Sequence, residues 1–153
     1  MKDFLRKIDL FASLGDSGLE KISARLKRHT FAFDQKIIQE SEPGSRCHMI
    51  ISGSVRVSAE ITDSTEVFAV LNAGDHFGEI SLIDGQAASA SVIAEEPTET
   101  VSLSREDIMD LFEDDPKLVA TILHTMLQAF CRRLREADQT LAFTRLMVRE
   151  KGA

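Results

Sequence analysis

A chain of 153 residues, 43% of them hydrophobic, is one domain's worth of sequence and can bury a proper core, with room for a modest appendage. Its formal charge of −7 argues against binding nucleic acid unaided, because phosphate neutralisation needs clustered Lys and Arg; with no run of about 18 apolar residues and no basic head before an apolar stretch, neither membrane insertion nor secretion is signalled. Cys47 and Cys131 lie far apart in no metal-ligand spacing, so a reduced pair of packing residues in a cytoplasmic protein is expected.

Phe4, Leu5, Ile8 and Phe11 recur at helix-like intervals, and Ser17-Gly18-Leu19-Glu20 has the S-x-x-E form of a capping box before Leu19, Ile22 and Leu26. Two short helices over 1–28 are predicted. From His29 to Leu103 the pattern changes to short β-favouring runs, at 30–33, 36–39, 48–51, 55–61, 67–71, 90–94 and 100–103. Turns are marked by Glu42-Pro43-Gly44, Ser52-Gly53-Ser54, Asn72-Ala73-Gly74 and Glu96-Pro97. Many short strands at close spacing point to a mainly β fold with flanking helices, an antiparallel jelly-roll barrel over 29–103. Ser104-Arg105-Glu106-Asp107 then has the form of a helix start, predicting a short helix over 104–113 that completes a domain of 1–115.

Asp114-Asp115 followed by Pro116 opens a pattern without Gly or Pro until Gly152, about 35 residues and roughly 50 Å if fully helical. Leu127, Leu134, Leu141 and Val148 fall seven apart, with Leu123, Phe130, Ala137 and Thr144 at the alternating core position. This heptad seam predicts a parallel homodimer through a helix over 116–151. The alternative is a monomer whose helix lays its whole apolar face on its own domain. A second stripe, Leu118, Ile122, Met126 and Ala129, is expected to face the barrel. The one dense basic cluster, Arg132-Arg133-Leu134-Arg135, is followed by Glu136 and Asp138 and reads as a solvated helix face with intrahelical ion pairs.

The segment Phe77-Gly78-Glu79-Ile80-Ser81-Leu82 can form a glycine-containing turn between an extended segment and a short helix, leaving backbone N–H groups converging on one point, a receptor for an anion. The same residues, with Ala88-Ser89-Ala90 a short spacer later, resemble the phosphate-binding cassette of the cyclic-nucleotide-binding domain family, F-G-E-[LI]-[AS]-L followed by R-[AST]-A. Glu42-Pro43-Gly44, the run from His48 through Val57, and Leu71-Asn72-Ala73-Gly74-Asp75 match further family elements in order, E-x-P-G, Y-x-I-x-x-G-x-V-x-V and L-x-x-G-D. Residues 116–141 resemble the long helix of bacterial catabolite-activator-type regulators. The resemblance implies that Glu79 accepts a hydrogen bond from a ribose 2′-hydroxyl and that amides near Gly78 and Ile80 meet a cyclic phosphate. It further implies that Ser89 donates its hydroxyl, that the amide of Ala90 adds a contact, and that Arg133 can pair with Glu79.

Departures from the family pattern are informative. His48 replaces a usual tyrosine, Ser41 stands where glycine is common, and Asp34-Gln35 replaces a glycine-containing turn. Ala88 stands where the family's arginine forms an ion pair with the phosphate. Losing one partner of a buried charge pair costs about 2–5 kcal/mol, roughly a 30- to 4000-fold fall in affinity at 1.4 kcal/mol per tenfold. On the purine side, Ala137 and Asp138 occupy positions where the catabolite-activator-type helix presents hydroxyl residues. Arg46 or Arg56 could substitute as phosphate partners, although both read better as surface side chains.

Nothing points to catalysis. His29, His48, His76 and His124 are dispersed, His76 beside Asp75 and Glu79 has neither metal-ligand spacing nor a nucleophile partner, and Ser81 and Ser89 lack a nucleophile-elbow context. No enzyme, no metal site and no required cofactor are expected. The reading is a non-enzymatic regulatory or sensor module, homodimeric, acting on a protein partner, with a cyclic nucleotide such as cAMP or cGMP, or another small anion, as a weak ligand. Two other readings stand beside it: a structural interaction module with a relic cassette, and the ligand-sensing part of a transcription regulator, weakened because the chain ends without a helix-turn-helix.

Overall fold

Period-two alternation in the middle of the chain sorts side chains onto two faces. In the strand Arg46–Ser52, Cys47 and Met49 join one apolar cluster while Ile50 joins another. The computed structural model that resolves this pattern describes residues 1–61 and 64–151, the side chains of 61, 144 and 146–151 excepted. Eight strands run through it: β1 Lys27–Phe31, β2 Lys36–Ile38, β3 Arg46–Ser52, β4 Ser54–Ile61, β5 Ser64–Asn72, β6 His76–Phe77, β7 Ser91–Ala94 and β8 Thr98–Ser104. They pair antiparallel in two four-stranded sheets, ordered β1-β8-β3-β6 and β2-β7-β4-β5. This is the expected jelly roll.

Strand boundaries shift by up to three residues from the sequence reading, and β1 and β6 show why. β1 begins at Lys27 because backbone pairing with β8 (Lys27↔Ser102) holds it, although Lys27 and Arg28 are exposed and carry no apolar signal. β6 was read as part of a turn; its two residues pair with β3 (His48↔Phe77, Met49↔His76), too short a run to show alternation.

The N-terminal segment folds as α1 Lys2–Leu5, a 3-10 turn Asp9–Phe11 and α2 Asp16–Ser23. The first predicted helix is therefore interrupted: Ile8 takes an extended backbone before the turn, which lets Leu5, Ile8 and Phe11 all bury against the sheet rather than along one helix face. Nor does Ser17 form the predicted capping box. α2 starts two residues earlier, with Gly15 at the N-cap and no side-chain cap, so Ser17 lies inside the first turn. The second expected start is real: in α4 Arg105–Asp114, Ser104 and Asp107 form a reciprocal capping box.

Asp115 separates α4 from α5 Pro116–Lys151, and its Oδ1 accepts the Leu118 amide at 3.0 Å. A helix of 36 residues extends about 54 Å. Its first third is part of the core: Leu118, Val119, Ile122 and Met126 are buried with Cys47, Met49, Val101 and Leu103 of the sheet and Leu5, Phe11 and Ile22 of the N-terminal segment, with Ala129 half-buried beyond them. Beyond that the seam opens to solvent. Leu127, Leu134 and Leu141 are 60%, 63% and 50% exposed, Leu123 and Ala137 are exposed as well, and Thr144 and Val148 lie outside the described side chains. Phe130 departs from the seam reading, since it is half-buried against its own domain's core. Cys131, expected to pack, is exposed; only Cys47 is buried, and burial first, then the charge of Glu79, pushes its thiol pKa up. Among the described residues, no helix is long and apolar enough to cross a membrane.

Candidate ligand site

Gly78 fixes the geometry of the site. Its backbone is left-handed (φ 83°), and a Cβ there would stand 2.4 Å from the Arg46 carbonyl oxygen, so only glycine turns the chain from β6 into the short helix α3 Glu79–Asp84. The first amides of a helix lack intrahelical acceptors, and those of Glu79, Ile80 and Ser81 therefore belong to the turn. A second glycine braces it from outside: Gly44 lies so close to Ser81 that an added Cβ would sit 2.5 Å from the serine Cβ. The loop carrying Gly44 also holds the other half of the cassette, because the Ala88 amide donates to the Glu42 carbonyl at 2.9 Å and the Ser41 amide to the Ala88 carbonyl at 2.8 Å. Ser41 and Asp34 both have positive φ, 67° and 62°. These are the two places where the sequence lacked an expected glycine, and the left-handed backbone is retained there without it.

These elements surround a cavity of about 330 Å³, the size of a small-molecule site. Its walls bring together Phe77, Gly78, Glu79, Ile80 and Ser81 from the turn, Ala88, Ser89 and Ala90 from the following segment, and Arg133 from α5. Val57, Ala69, Leu71 and Val92 supply an apolar wall that sequence reasoning had not singled out; the signal available was their alternation along β4, β5 and β7.

Charge in the cavity is sparse. Glu79 is 5% exposed, and Arg133 reaches across 54 positions of sequence to donate from Nη1 to its Oε1 at 2.7 Å. The arginine cluster is thus not laced by intrahelical pairs as expected: among the described residues, Arg133 is the one member with an ion pair, and its partner is in the cassette. Ala88 is buried, 8% exposed, and lines the cavity, so no side-chain cation enters it from that position. Neither Arg46 nor Arg56 lines the cavity. Arg46 donates to the Ser102 hydroxyl at 3.1 Å, and Arg56 is held by Asp34 and Glu95 on the surface. His76 lines the cavity, and no cluster of three or more potential metal ligands exists among the described residues.

Behind the cavity the barrel interior is polar. His48 stacks on Phe77 with ring centroids 5.2 Å apart and shares a 3.0 Å hydrogen bond between Nδ1 and the Thr100 hydroxyl. His29 shares one of 2.8 Å between Nε2 and the Ser102 hydroxyl. Burial, with the neighbouring charges of His29 and Arg46, pushes the His48 pKa down to about 3. His48 is therefore neutral and packs behind Phe77 without lining the cavity.

The geometry agrees with the chain's relatives. It is 27% identical over 143 residues to the CRP-like cAMP-activated global transcriptional regulator of Mycobacterium tuberculosis, 93% of this chain against 62% of the relative. It is 33% identical over 133 residues to the cyclic AMP receptor protein of Thermus thermophilus, 86% against 60%. The chain thus spans about 60% of the length of these curated relatives. A cyclic nucleotide-binding domain from Methylobacillus flagellatus superposes with a TM-score of 0.80 at 30% identity, covering 91% of this chain and 79% of that one. Residues 28–115, from β1 through α4 and the whole glycine-built turn, match the family model described as cyclic nucleotide-binding domain, and the chain belongs to that family.

Proposed function

We propose that the protein is a non-enzymatic, homodimeric sensor of the cyclic-nucleotide-binding class, working in the cytoplasm, whose cavity grips a cyclic phosphate weakly. The observation that carries this reading is the buried methyl group of Ala88 in a cavity where Arg133 is already committed to Glu79. A ribose would find its carboxylate acceptor in Glu79 and a hydroxyl donor in Ser89. A phosphate would find backbone amides and, in place of a cassette guanidinium, only that of Arg133, whose Nη1 is already bonded to Glu79. The expected penalty is about 2–5 kcal/mol, roughly 30- to 4000-fold in affinity.

Regulation in such a module works by population shift: a ligand favours one arrangement of α5 against the barrel only by binding it more tightly. The Glu79–Arg133 bond is the direct tether between cavity and helix, so occupancy of the cavity is felt by α5. The domain of 1–115 would thus be read out by the helix of 116–151, which pairs with its copy and presents the result to a protein partner.

Isothermal titration with cyclic AMP and cyclic GMP tests the reading. Dissociation constants near millimolar are expected, and micromolar binding of either would overturn the claim of a weakened phosphate site. In the Ala88→Arg variant, affinity should rise at least about 30-fold. If it does not, the cavity is a relic and the protein a structural interaction module.

A further inference from the structure

The exposed seam of α5 places two charges in a relation that the single chain does not use. With Leu127, Leu134 and Leu141 at one core position of the heptad and Ala137 at the other, Arg133 directly precedes a core leucine and Asp138 directly follows the core alanine. These are the flanking g and e positions, whose charges pair between helices in a parallel coiled coil. In a parallel, in-register pair, the g residue of one helix meets the e residue five places further along the other, which matches 133 to 138.

Both residues have capacity for this contact. Arg133 spends Nη1 on Glu79, yet its side chain is 56% exposed, and a guanidinium carries five N–H donors in a planar fork. Asp138 is exposed and, among the described residues, makes no hydrogen bond or ion pair, not even with Arg135 three residues earlier. The other g–e combinations in the described seam, Met126 with Cys131 and Thr140 with Arg145, contain no like charges, so nothing opposes the parallel register.

We infer that a second copy of this chain sets its α5 alongside the first so that the partner's Asp138 pairs with Arg133. Each cavity is then bordered by an ionic bridge running from buried Glu79 through Arg133 to the partner's Asp138. The proposal rests on the homodimer reading and deepens it: the partner supplies a residue to the site. Twofold symmetry makes two such bridges per dimer. Because Arg133 serves both carboxylates, the bridge ties the cassette glutamate to the dimer interface.

Charge exchange across the interface tests it. Asp138→Arg and Arg133→Glu each place like charges together at both bridges of their own homodimer, while a mixed dimer restores both. Sedimentation equilibrium should show each variant alone associating ~10-fold or more weakly than the unmodified protein. Native mass spectrometry of the mixture should show heterodimer well above random pairing. If Arg133→Glu does not fold beside buried Glu79, as circular dichroism would report, Arg133→Gln replaces it; that mixture still prefers the heterodimer, and Asp138→Arg lies at an exposed position. Random pairing in the mixture, with the unmodified protein dimeric, overturns the bridge and leaves the homodimer standing. An unmodified protein that stays monomeric at high concentration overturns both.

Discussion

The sheet β1-β8-β3-β6 has two faces of opposite character, and the contrast explains where stability and function reside. Its outer face presents Cys47, Met49, Val101 and Leu103 to the N-terminal helices and the first third of α5, forming a continuous apolar core. Its inner face presents His48, Thr100 and Ser102, hydrogen-bonded among themselves and to His29, beside an apolar cluster of only Ile50, Val55, Phe77 and Val92. The outer face holds the fold, because contiguous apolar burial is the dominant favourable term in folding. From this sheet only β6, through His76 and Phe77, reaches the cavity, whose other walls are the cassette segments, Ile38, Arg133 and the opposite sheet's Val57, Ala69, Leu71 and Val92. The cavity therefore lies away from the face that supplies most of the packing, and its polar groups come from the cassette, His76 and Arg133.

The largest effect should come from truncating the outer face. Leu103→Ala removes a nearly fully buried side chain and should lower the unfolding free energy by about 2–5 kcal/mol, read as a drop in the urea midpoint with little change in slope. Leu134→Ala, on the exposed half of α5, should change the same midpoint by less than about 0.5 kcal/mol when measured at concentrations where the protein is monomeric. Equal losses at the two positions would mean that α5 packs on its own domain along its whole length, and the division of labour within the helix would fall.

A smaller but more local effect is expected at the junction of the faces. In Gly78→Ala the new Cβ meets the Arg46 carbonyl oxygen in a left-handed backbone, and strain of this kind costs about 1–3 kcal/mol. The thermal midpoint should fall by about 2–4 °C per kcal/mol. Addition of a ribose-containing ligand should recover less of that loss than in the unmodified protein, since the turn that receives it is distorted. A variant as stable as the parent would show that the turn tolerates displacement and does not fix the cassette.

The outer face was largely legible in the sequence, because its signals are apolar and periodic: Leu118, Ile122 and Met126 at helical spacing, and alternation along β3. The cassette turn was legible too, through the Phe77-Gly78-Glu79 motif, although the Arg46 carbonyl that makes glycine necessary at 78 lies far away in sequence. The inner face was not. Thr98, Thr100, Ser102 and Ser104 alternate along β8 as solvent-facing residues do, yet all four are buried; the partners that satisfy the central pair, His48 and His29, lie 52 and 73 positions away. Two-residue β6 exists only through its pairing with β3, which no local pattern encodes. By charge pattern alone Arg133 reads as one member of a basic helix face; the family resemblance singles it out as a partner for Glu79, and the path of α5 over the cavity brings the two together.

The smallest expected effect probes whether the inner face is as dry as its hydrogen bonding implies. Above pH 6.5, the ordinary histidine value, His48 is neutral in folded and unfolded chains alike and contributes no pH dependence. As pH falls below 6.5 the unfolded chain takes up a proton, while the folded one, with a pKa of about 3, does not. Stability should therefore decline toward acid by up to about 1.4 kcal/mol per pH unit from this residue, with His29, also shifted down by burial, adding in the same direction. His48→Gln keeps a neutral hydrogen-bonding group beside Thr100 and removes the proton site. Between pH 7 and 5.5, before most carboxylates titrate, the variant should lose about 1 kcal/mol less than the parent in urea unfolding. Parallel loss in the two proteins would mean that His48 is protonated in place, and an inner face able to hold a charged imidazolium would be open to water rather than dry.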